Sequence, residues 1–398
     1  MPAVRIVSFT TLYPSSARPT HGVFVENRLR HLVASGAVTT RVVVPVPWFP
    51  SRHSWFGSYA DFARTPPEEE RFGIPIVHPR YVTIPKAGMT IAPALLFAGS
   101  LRALRKVEAS GYDYRLIDAH YFYPDGVAAA MLARRLNKPV VITARGTDIN
   151  LIPRHALPRR MILWAAREAA AVITVCQALK DTLVSMGVPD QKVTVLRNGV
   201  DLVLFRPLGR DAARRTLGIE GPTILSVGHL IPRKGHDIVI RALAEIPEAR
   251  LIIAGTGPED RALRRLTETL GLDHRVRFAG AVPHERLAEY YSAADVLALG
   301  SDREGWANVL LESMACGTPV AATNIWGTPE VVAVPEAGLL VQERTGPAMA
   351  AALRALLARP PDRTATRAYA ERFSWDATTE GQIAIFRRIS AQAAARAA

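Results

Sequence analysis

The sequence predicts an α/β protein built from two doubly wound, Rossmann-like domains facing a cleft. Three observations predict it. Short apolar runs alternate with helix-period segments along most of the chain, the pattern of a parallel sheet covered by helices on both faces. Many of these runs end in a polar, glycine-bearing loop before the next helix. The alternation breaks at Phe205-Arg206-Pro207 and then restarts, dividing the 398 residues into 1–205 and 206–373. A last helical stretch, 374–398, begins at Phe373-Ser374-Trp375.

In the first domain, Val4 to Phe9 reads as a buried strand, followed by a polar loop to Gly22 and a helix from Val23 to about Ser35. Arg41 to Val44 is the second strand. Residues 47–90 interrupt the rhythm with proline and aromatic residues (Pro47-Trp48-Phe49-Pro50, Trp55-Phe56, Tyr59), and so long an insertion reads as a functional loop region. Strands follow at Leu116–Ala119, Val140–Thr143, Ala171–Val175 and Val193–Leu196, with helices at Val127–Leu136 and Ala178–Met186 between them. The second domain has strands at Thr223–Val227, Arg250–Ala254, Val276–Phe278, Val296–Leu299, Pro319–Ala322 and Gly338–Val341.

Composition excludes several classes. With 49% hydrophobic and 21% charged residues the chain can bury large cores and is not of disordered type. A net charge of +13 favours anionic partners. Cys176 and Cys316 have no CxxC partner, so neither a zinc nor a redox signature is present, and a reducing compartment is expected. The first residues carry no cleavage-site pattern, and no run of about 18 uncharged apolar residues occurs, which predicts a cytoplasmic protein without a spanning helix. Nothing resembles a nucleic-acid module.

The most informative segment runs from Ser301 to Glu312. Glu304 falls in a loop at the carboxyl end of a buried strand, and Glu312 falls one turn into the next helix, for which Asn308 is a candidate N-cap. Open α/β sheets bind ligands in that crevice. Leading helix N–H groups from Asn308 to Leu310 suit a phosphate, whereas the two carboxylates suit hydroxyls. A nucleotide sugar offers both chemistries side by side.

Gly228 to Gly235 leaves the first strand of the second domain without Walker A spacing. Arg233 can fork two phosphate oxygens and Lys234 adds a point charge. The pair is either a solvated basic turn or a diphosphate grip, and its place at a strand's carboxyl end favours the grip. Gly255 and Gly257 form a plain turn or let a ligand approach the backbone. Ala281 ends the third strand, where the backbone either forms a structural turn or meets a base edge. In the first domain His120 lies at a strand's carboxyl end; a lone histidine is usually structural or exposed, but this position suits polar contact with a sugar. Arg145 and Asp148 end the next strand and either pair with each other or touch substrate. The loop from Tyr13 to Gly22 could present N–H groups to a phosphate. Asp201, in Asn198-Gly199-Val200-Asp201, reads as structural turn chemistry.

Taken in order, these segments resemble the family 4 glycosyltransferases, retaining enzymes of GT-B architecture, over essentially the whole chain. The matching residues are Gly22, His120 with Pro124-Asp125-Gly126, Arg145 to Asp148, Asn198 to Asp201, Arg233-Lys234-Gly235, and Glu304 with Glu312. The resemblance implies that Arg233 and Lys234 hold the donor diphosphate, Glu312 the ribose hydroxyls and Glu304 the sugar hydroxyls. It further implies that backbone around Gly305, Trp306, Asn308 and Val309 meets sugar and phosphate, that His120 lies against the transferring sugar, and that Gly22 lies near the distal phosphate. Tyr13, Arg145 and Asp148 fall on the acceptor or sugar side. It implies no metal or other cofactor, domain closure over the donor, and a terminal helix packed back on the first domain.

Arg303 to Asn308, Thr11 to Pro14 and His120 to Pro124 are further similar to bacterial enzymes of cell-surface polysaccharide synthesis, including the teichuronic-acid type, which act at the cytoplasmic face on lipid-linked or glycan acceptors. Leu101–Lys106 and Arg154–Trp164 are basic and apolar, and read either as helices packed on the core or as contacts to an anionic inner-membrane surface. A nucleotide-sugar 2-epimerase on the same architecture and a non-enzymatic basic binding protein are the competing readings.

Overall fold

Aliphatic runs flanked by glycine or polar loops become strands buried on both faces, as parallel sheets require. A computed structural model of the protein describes residues 3–83 and 88–397. The chain forms two compact units, one of residues 1–197 with 376–398, the other of residues 198–375. The division therefore falls a few residues before the 205/206 boundary read from the sequence.

Unit 1 contains β1 (Val4–Phe9), β2 (Val38–Val43), β3 (Val46–Pro47), β4 (Glu68–Arg71), β5 (Ile74–Val77), β6 (Arg80–Tyr81), β7 (Leu116–His120), β8 (Val140–Ala144), β9 (Ala171–Thr174) and β10 (Val193–Val195). Its main sheet has the order β10-β9-β8-β7-β1-β2-β5-β4, and β3 pairs separately with β6. Every neighbouring pair in the main sheet is parallel except the hairpin of β4 and β5. That hairpin corrects the reading of 47–90 as loop. Glu68-Glu69-Glu70-Arg71 has no apolar alternation, because it is a charged edge strand of the kind that resists further pairing.

The helix Asp376–Ala397 belongs to unit 1, although unit 2 precedes it in the chain. Gln382, Ile385, Phe386 and Ile389 form its buried stripe at helical spacing, and the three apolar residues join the core of Ile6, Val25, Leu29 and Val42. Gly381 sits close enough to Leu196 that an added Cβ would lie 2.5 Å from Cδ2.

Unit 2 contains β11 (Thr223–Val227), β12 (Arg250–Ala254), β13 (Val276–Gly280), β14 (Val296–Leu299), β15 (Val320–Thr323) and β16 (Gly338–Val341), in the order β13-β12-β11-β14-β15-β16. All five pairings are parallel. Counted from β11 this is the 3-2-1-4-5-6 order of a dinucleotide-binding sheet, and it puts the topological switch point between β11 and β14.

Two basic segments have a definite packing. The helix Ala156–Glu168 buries Pro158, Ile162, Ala165 and Ala166 and exposes Arg159 and Arg160. Within the helix Gly88–Ala109, Leu104 is buried while Arg102, Arg105 and Lys106 are exposed. Both are amphipathic helices with a basic outer face. No helix among the described residues is long and apolar enough to cross a membrane.

Candidate active site

The switch point of unit 2 dictates the first cluster. The loop after β11 makes a single 3-10 turn, Pro232–Lys234, and stops at Gly235 in the left-handed region (φ 68). A Cβ on Gly235 would lie 1.9 Å from the Gly300 carbonyl oxygen, so only glycine lets this loop reach the one after β14. The Asp302 N–H donates to the Arg233 carbonyl at 2.9 Å. Arg344 straps both loops, donating from Nε to the Gly300 carbonyl at 2.8 Å and from Nη2 to the Pro232 carbonyl at 3.1 Å.

On this scaffold Lys234 Nζ donates to Glu304 Oε1 at 2.6 Å, and the Ser301 hydroxyl donates to the same oxygen at 2.7 Å. Arg233 Nη1 donates to the Arg303 carbonyl at 2.8 Å and lies 3.5 Å from Glu304 Oε2. Burial pushes the Glu304 carboxyl up, but Lys234, Arg233 and their hydrogen bonds outweigh it and leave the group below its ordinary range. Three residues read separately from the sequence thus form one ion cluster.

Glu312 anchors a second cluster. Its Oε2 accepts the Tyr291 hydroxyl at 2.8 Å, and its Oε1 lies 3.3 Å from His284 Nε2. Burial alone would lower His284, yet the bond to Glu312 raises it above the usual histidine value. Phe205 packs edge-on against both His284 and Tyr291. Sequence reasoning missed Tyr291, His284, Ser301 and Arg344. His284 follows β13 at its carboxyl end, which is a usable signal, but Tyr291 reads as an apolar helix residue.

Asn308 is the first residue of the helix Asn308–Ala315, not its cap; Ala307 caps it without a side-chain bond. The Asn308 amide oxygen instead accepts from Asn198 Nδ2 at 3.2 Å. Gly305 is buried, Trp306 is 7% exposed with its ring 6.0 Å from Phe373, and Asn308 and Val309 are half-buried. Ala281 is exposed just past β13. The loop glycines serve packing: a Cβ on Gly255 would lie 1.8 Å from the Gly228 carbonyl oxygen, and one on Gly257 would lie 2.4 Å from that of Leu230. Gly228 lies against the Lys234 side chain. The Asp201 carboxylate accepts from the N–H groups of Val203 and Leu204, a structural turn as read.

In unit 1 buried carboxylates organise the loops. Asp125 accepts from the Thr11 N–H at 2.6 Å and from the Thr11 and Thr10 hydroxyls, and its burial pushes the carboxyl up to about 7. Asp148 is fully buried and accepts the N–H groups of Phe122 at 2.6 Å, Gly146 at 2.7 Å and Arg145 at 3.1 Å. Its oxygens are committed to backbone, so it holds loops together, the structural one of the two roles read from the sequence. Gly22 has φ 77, and a Cβ there would fall 2.3 Å from the Leu12 carbonyl carbon. Tyr13 is 2% exposed in the core, and its hydroxyl has no hydrogen-bond partner among the described residues. With Thr11, Arg18, His21 and Tyr81 it lines a cavity of about 270 Å³.

His120 lies beneath the loops. Its ring is completely buried, Nδ1 lies 2.6 Å from Arg145 Nη2, and Nε2 lies 3.1 Å from Asp118 Oδ2. The sequence put it against a sugar; a histidine ending a strand reads the same whether its ring faces a ligand or the layer beneath.

Two family models match the chain, "Glycosyltransferase Family 4" over residues 23–204 and "Glycosyl transferases group 1" over residues 210–373. A D-inositol 3-phosphate glycosyltransferase of Acidothermus cellulolyticus is 34% identical over 76% of this chain and 73% of its own length. Sucrose-phosphate synthase from Thermosynechococcus elongatus superposes with a TM-score of 0.79 at 22% identity, covering 98% of this chain and 100% of that one. The Anabaena protein HepE, solved with UDP-glucose, superposes with a TM-score of 0.72 at 21% identity over 96% and 98%. These neighbours share the two-domain GT-B fold. The chain belongs to glycosyltransferase family 4 and is a glycosyltransferase of GT-B architecture.

Proposed function

We propose that the protein transfers a glycosyl group, with retention at the anomeric carbon, from a nucleoside-diphosphate sugar held by unit 2 to a hydroxyl of an acceptor held by unit 1. The observation that carries this reading is the cluster of Arg233, Lys234 and Glu304 at the switch point of unit 2. Cleavage separates the anomeric carbon from the diphosphate, placing negative charge on phosphate and positive charge on the ring. Two fixed cations stabilise the leaving group. They now bind Glu304, and a diphosphate would take them over and free the Glu304 oxygens for sugar hydroxyls. Glu312, oriented by Tyr291 and His284, takes the ribose hydroxyls. No metal ion is part of the proposal, so excess EDTA should leave transfer unchanged.

For the acceptor, a glycan or lipid-linked intermediate at the inner face of a membrane is supported by the exposed Trp48, Trp55, Phe56 and Tyr59 and by the basic outer helix faces. The name of the Acidothermus relative supports a cyclitol phosphate instead. Transfer to D-inositol 3-phosphate, set against binding to anionic vesicles, separates the two.

The test of the donor assignment is a thermal-shift panel of UDP, GDP, ADP and their sugars. One nucleotide is expected to stabilise the protein, and Lys234→Ala and Glu312→Ala to lose most of that shift. No response to any nucleotide would overturn the reading. Isomerisation of UDP-GlcNAc without transfer would support the 2-epimerase reading, and salt-sensitive RNA binding without nucleotide binding the non-enzymatic one.

A further inference from the structure

Five side chains from four elements of unit 1 meet in a buried polar chain. Arg28 comes from the helix Val23–Ala34, Asp118 and His120 from β7, Arg145 from the end of β8, and Gln382 from the terminal helix. Arg28 and Gln382 are 354 residues apart in sequence. Arg28, Asp118, His120 and Gln382 are at most 1% exposed, and Arg145 is 8% exposed.

The hydrogen-bonding roles along this chain follow from arginine being a donor only. Arg28 Nε lies 2.8 Å from Gln382 Oε1, so the oxygen end of the amide faces Arg28. Gln382 Nε2 must then face the other way, and it donates to Asp118 Oδ2 at 3.4 Å. Arg145 Nη2 lies 2.6 Å from His120 Nδ1, so Nδ1 is the bare, accepting nitrogen. The imidazole proton therefore sits on Nε2, 3.1 Å from Asp118 Oδ2. That contact is off the ideal hydrogen-bond direction, so it orients the ring mainly through charge.

We infer that His120 is a positioning residue: a neutral imidazole that accepts at Nδ1 and so aims the Arg145 guanidinium, while Gln382 and Asp118 fix which ring nitrogen carries the proton. Arg145 is the least buried member of the chain, flanked by the Phe24 ring 5.5 Å from its Cζ. A guanidinium so held suits an anionic oxygen of a substrate. This use of Arg145 rests on the transfer reading above; the aiming of its side chain does not.

Burial keeps His120 neutral, and the charges that face it act in both directions. Asp118 on β7 favours protonation, Arg145 just after β8 and Arg28 on the first helix oppose it, and Gln382 on the terminal helix adds no charge. Burial is the largest influence and lowers the imidazole below the usual histidine range. Protonation would put an N–H on Nδ1 against the guanidinium and break the contact that aims it.

The experiment compares His120→Asn, His120→Gln and His120→Ala in the full chain. Asparagine can place an oxygen where Nδ1 lies, and glutamine reaches towards Nε2. Without any substrate, ¹⁵N spectra should show the wild-type His120 neutral and protonated at Nε2 at pH 7. The Arg145 guanidinium should rotate slowly in the wild type and His120→Asn, and measurably faster in the other two. In transfer assays with the nucleotide sugar found by the panel, His120→Ala should lose about 10²-fold in kcat. His120→Asn should recover at least about tenfold of it, and the wild type's acid-side loss of activity should vanish in His120→Asn. A proton on Nδ1, or restricted Arg145 motion in His120→Gln but not in His120→Asn, would overturn the inference. If the spectra follow expectation and no nucleotide sugar is turned over, the aiming of Arg145 stands and the transfer reading fails.

Discussion

Replacing Lys234 by methionine should destabilise unit 2 selectively, by an amount that the geometry sets. The Lys234 and Glu304 side chains are 15% and 8% exposed and meet at 2.6 Å. Removing one partner of a buried pair costs about 3–5 kcal/mol, because the remaining charge stays buried. Here the Ser301 hydroxyl at 2.7 Å and Arg233 at 3.5 Å still serve Glu304, which reduces the expected cost. About 2–4 kcal/mol remains, equivalent to a fall of roughly 5–15 °C in Tm for a unit of this size. Scanning calorimetry on the wild type, Lys234→Met, Glu304→Leu and the double variant reads it directly. The double variant should be less destabilised than the sum of the singles, since it leaves no orphaned charge. Acid should narrow the gap. Glu304 has a depressed pKa, so its contribution is present above the ordinary carboxyl value and is lost as pH falls through the folded one. A Lys234→Met variant melting within about 1 °C of wild type, with additive singles, would show that the Lys234–Glu304 pair does not stabilise unit 2.

Three further outcomes follow from the same contacts. Gly235→Ala places a Cβ 1.9 Å from the Gly300 oxygen at φ 68, and should cost about 3 kcal/mol or more by denaturant melting; a loss under about 0.5 kcal/mol would contradict the loop contact. Tyr291→Phe removes the donor to Glu312 Oε2, and should lower the denaturation midpoint by about 2 kcal/mol equivalent with the slope unchanged. Asp125 holds its proton up to about pH 7, so its share of stability is full below the ordinary carboxyl value and is lost as pH rises through 7. Between pH 6 and 8 the wild type should therefore lose on the order of 1 kcal/mol that Asp125→Asn does not, and equal slopes would exclude that assignment.

Much of the fold was legible because apolar runs in a doubly wound protein are buried on both faces. Thr223–Val227, Arg250–Ala254, Val296–Leu299 and Gly338–Val341 were read to the residue. The meeting of Lys234 with Glu304 was legible too, since both end strands that flank a switch point. The edge strand Glu68–Arg71 was not, because its signal is charge and not alternation. Gly255 and Gly257 read equally as a plain turn or an opening to a ligand, and in the Cβ direction the backbone of the neighbouring loop fills the space. Asn308 has the chemistry of a cap, yet the helix begins at it, one position earlier than a cap allows. The burial of His120 and its link to Gln382 depend on a helix that returns from the far end of the chain, and no local pattern encodes that return. Glu312 was found by its spacing from Glu304, whereas its partners Tyr291 and His284 come from a different element and loop.

A crystal structure with the nucleoside diphosphate that stabilises the protein most would locate the donor site outright. The diphosphate is expected on Arg233 and Lys234, with Lys234 Nζ withdrawn from Glu304 and the ribose hydroxyls on Glu312. A nucleotide bound elsewhere, with the Lys234–Glu304 contact of 2.6 Å unchanged, would contradict that assignment.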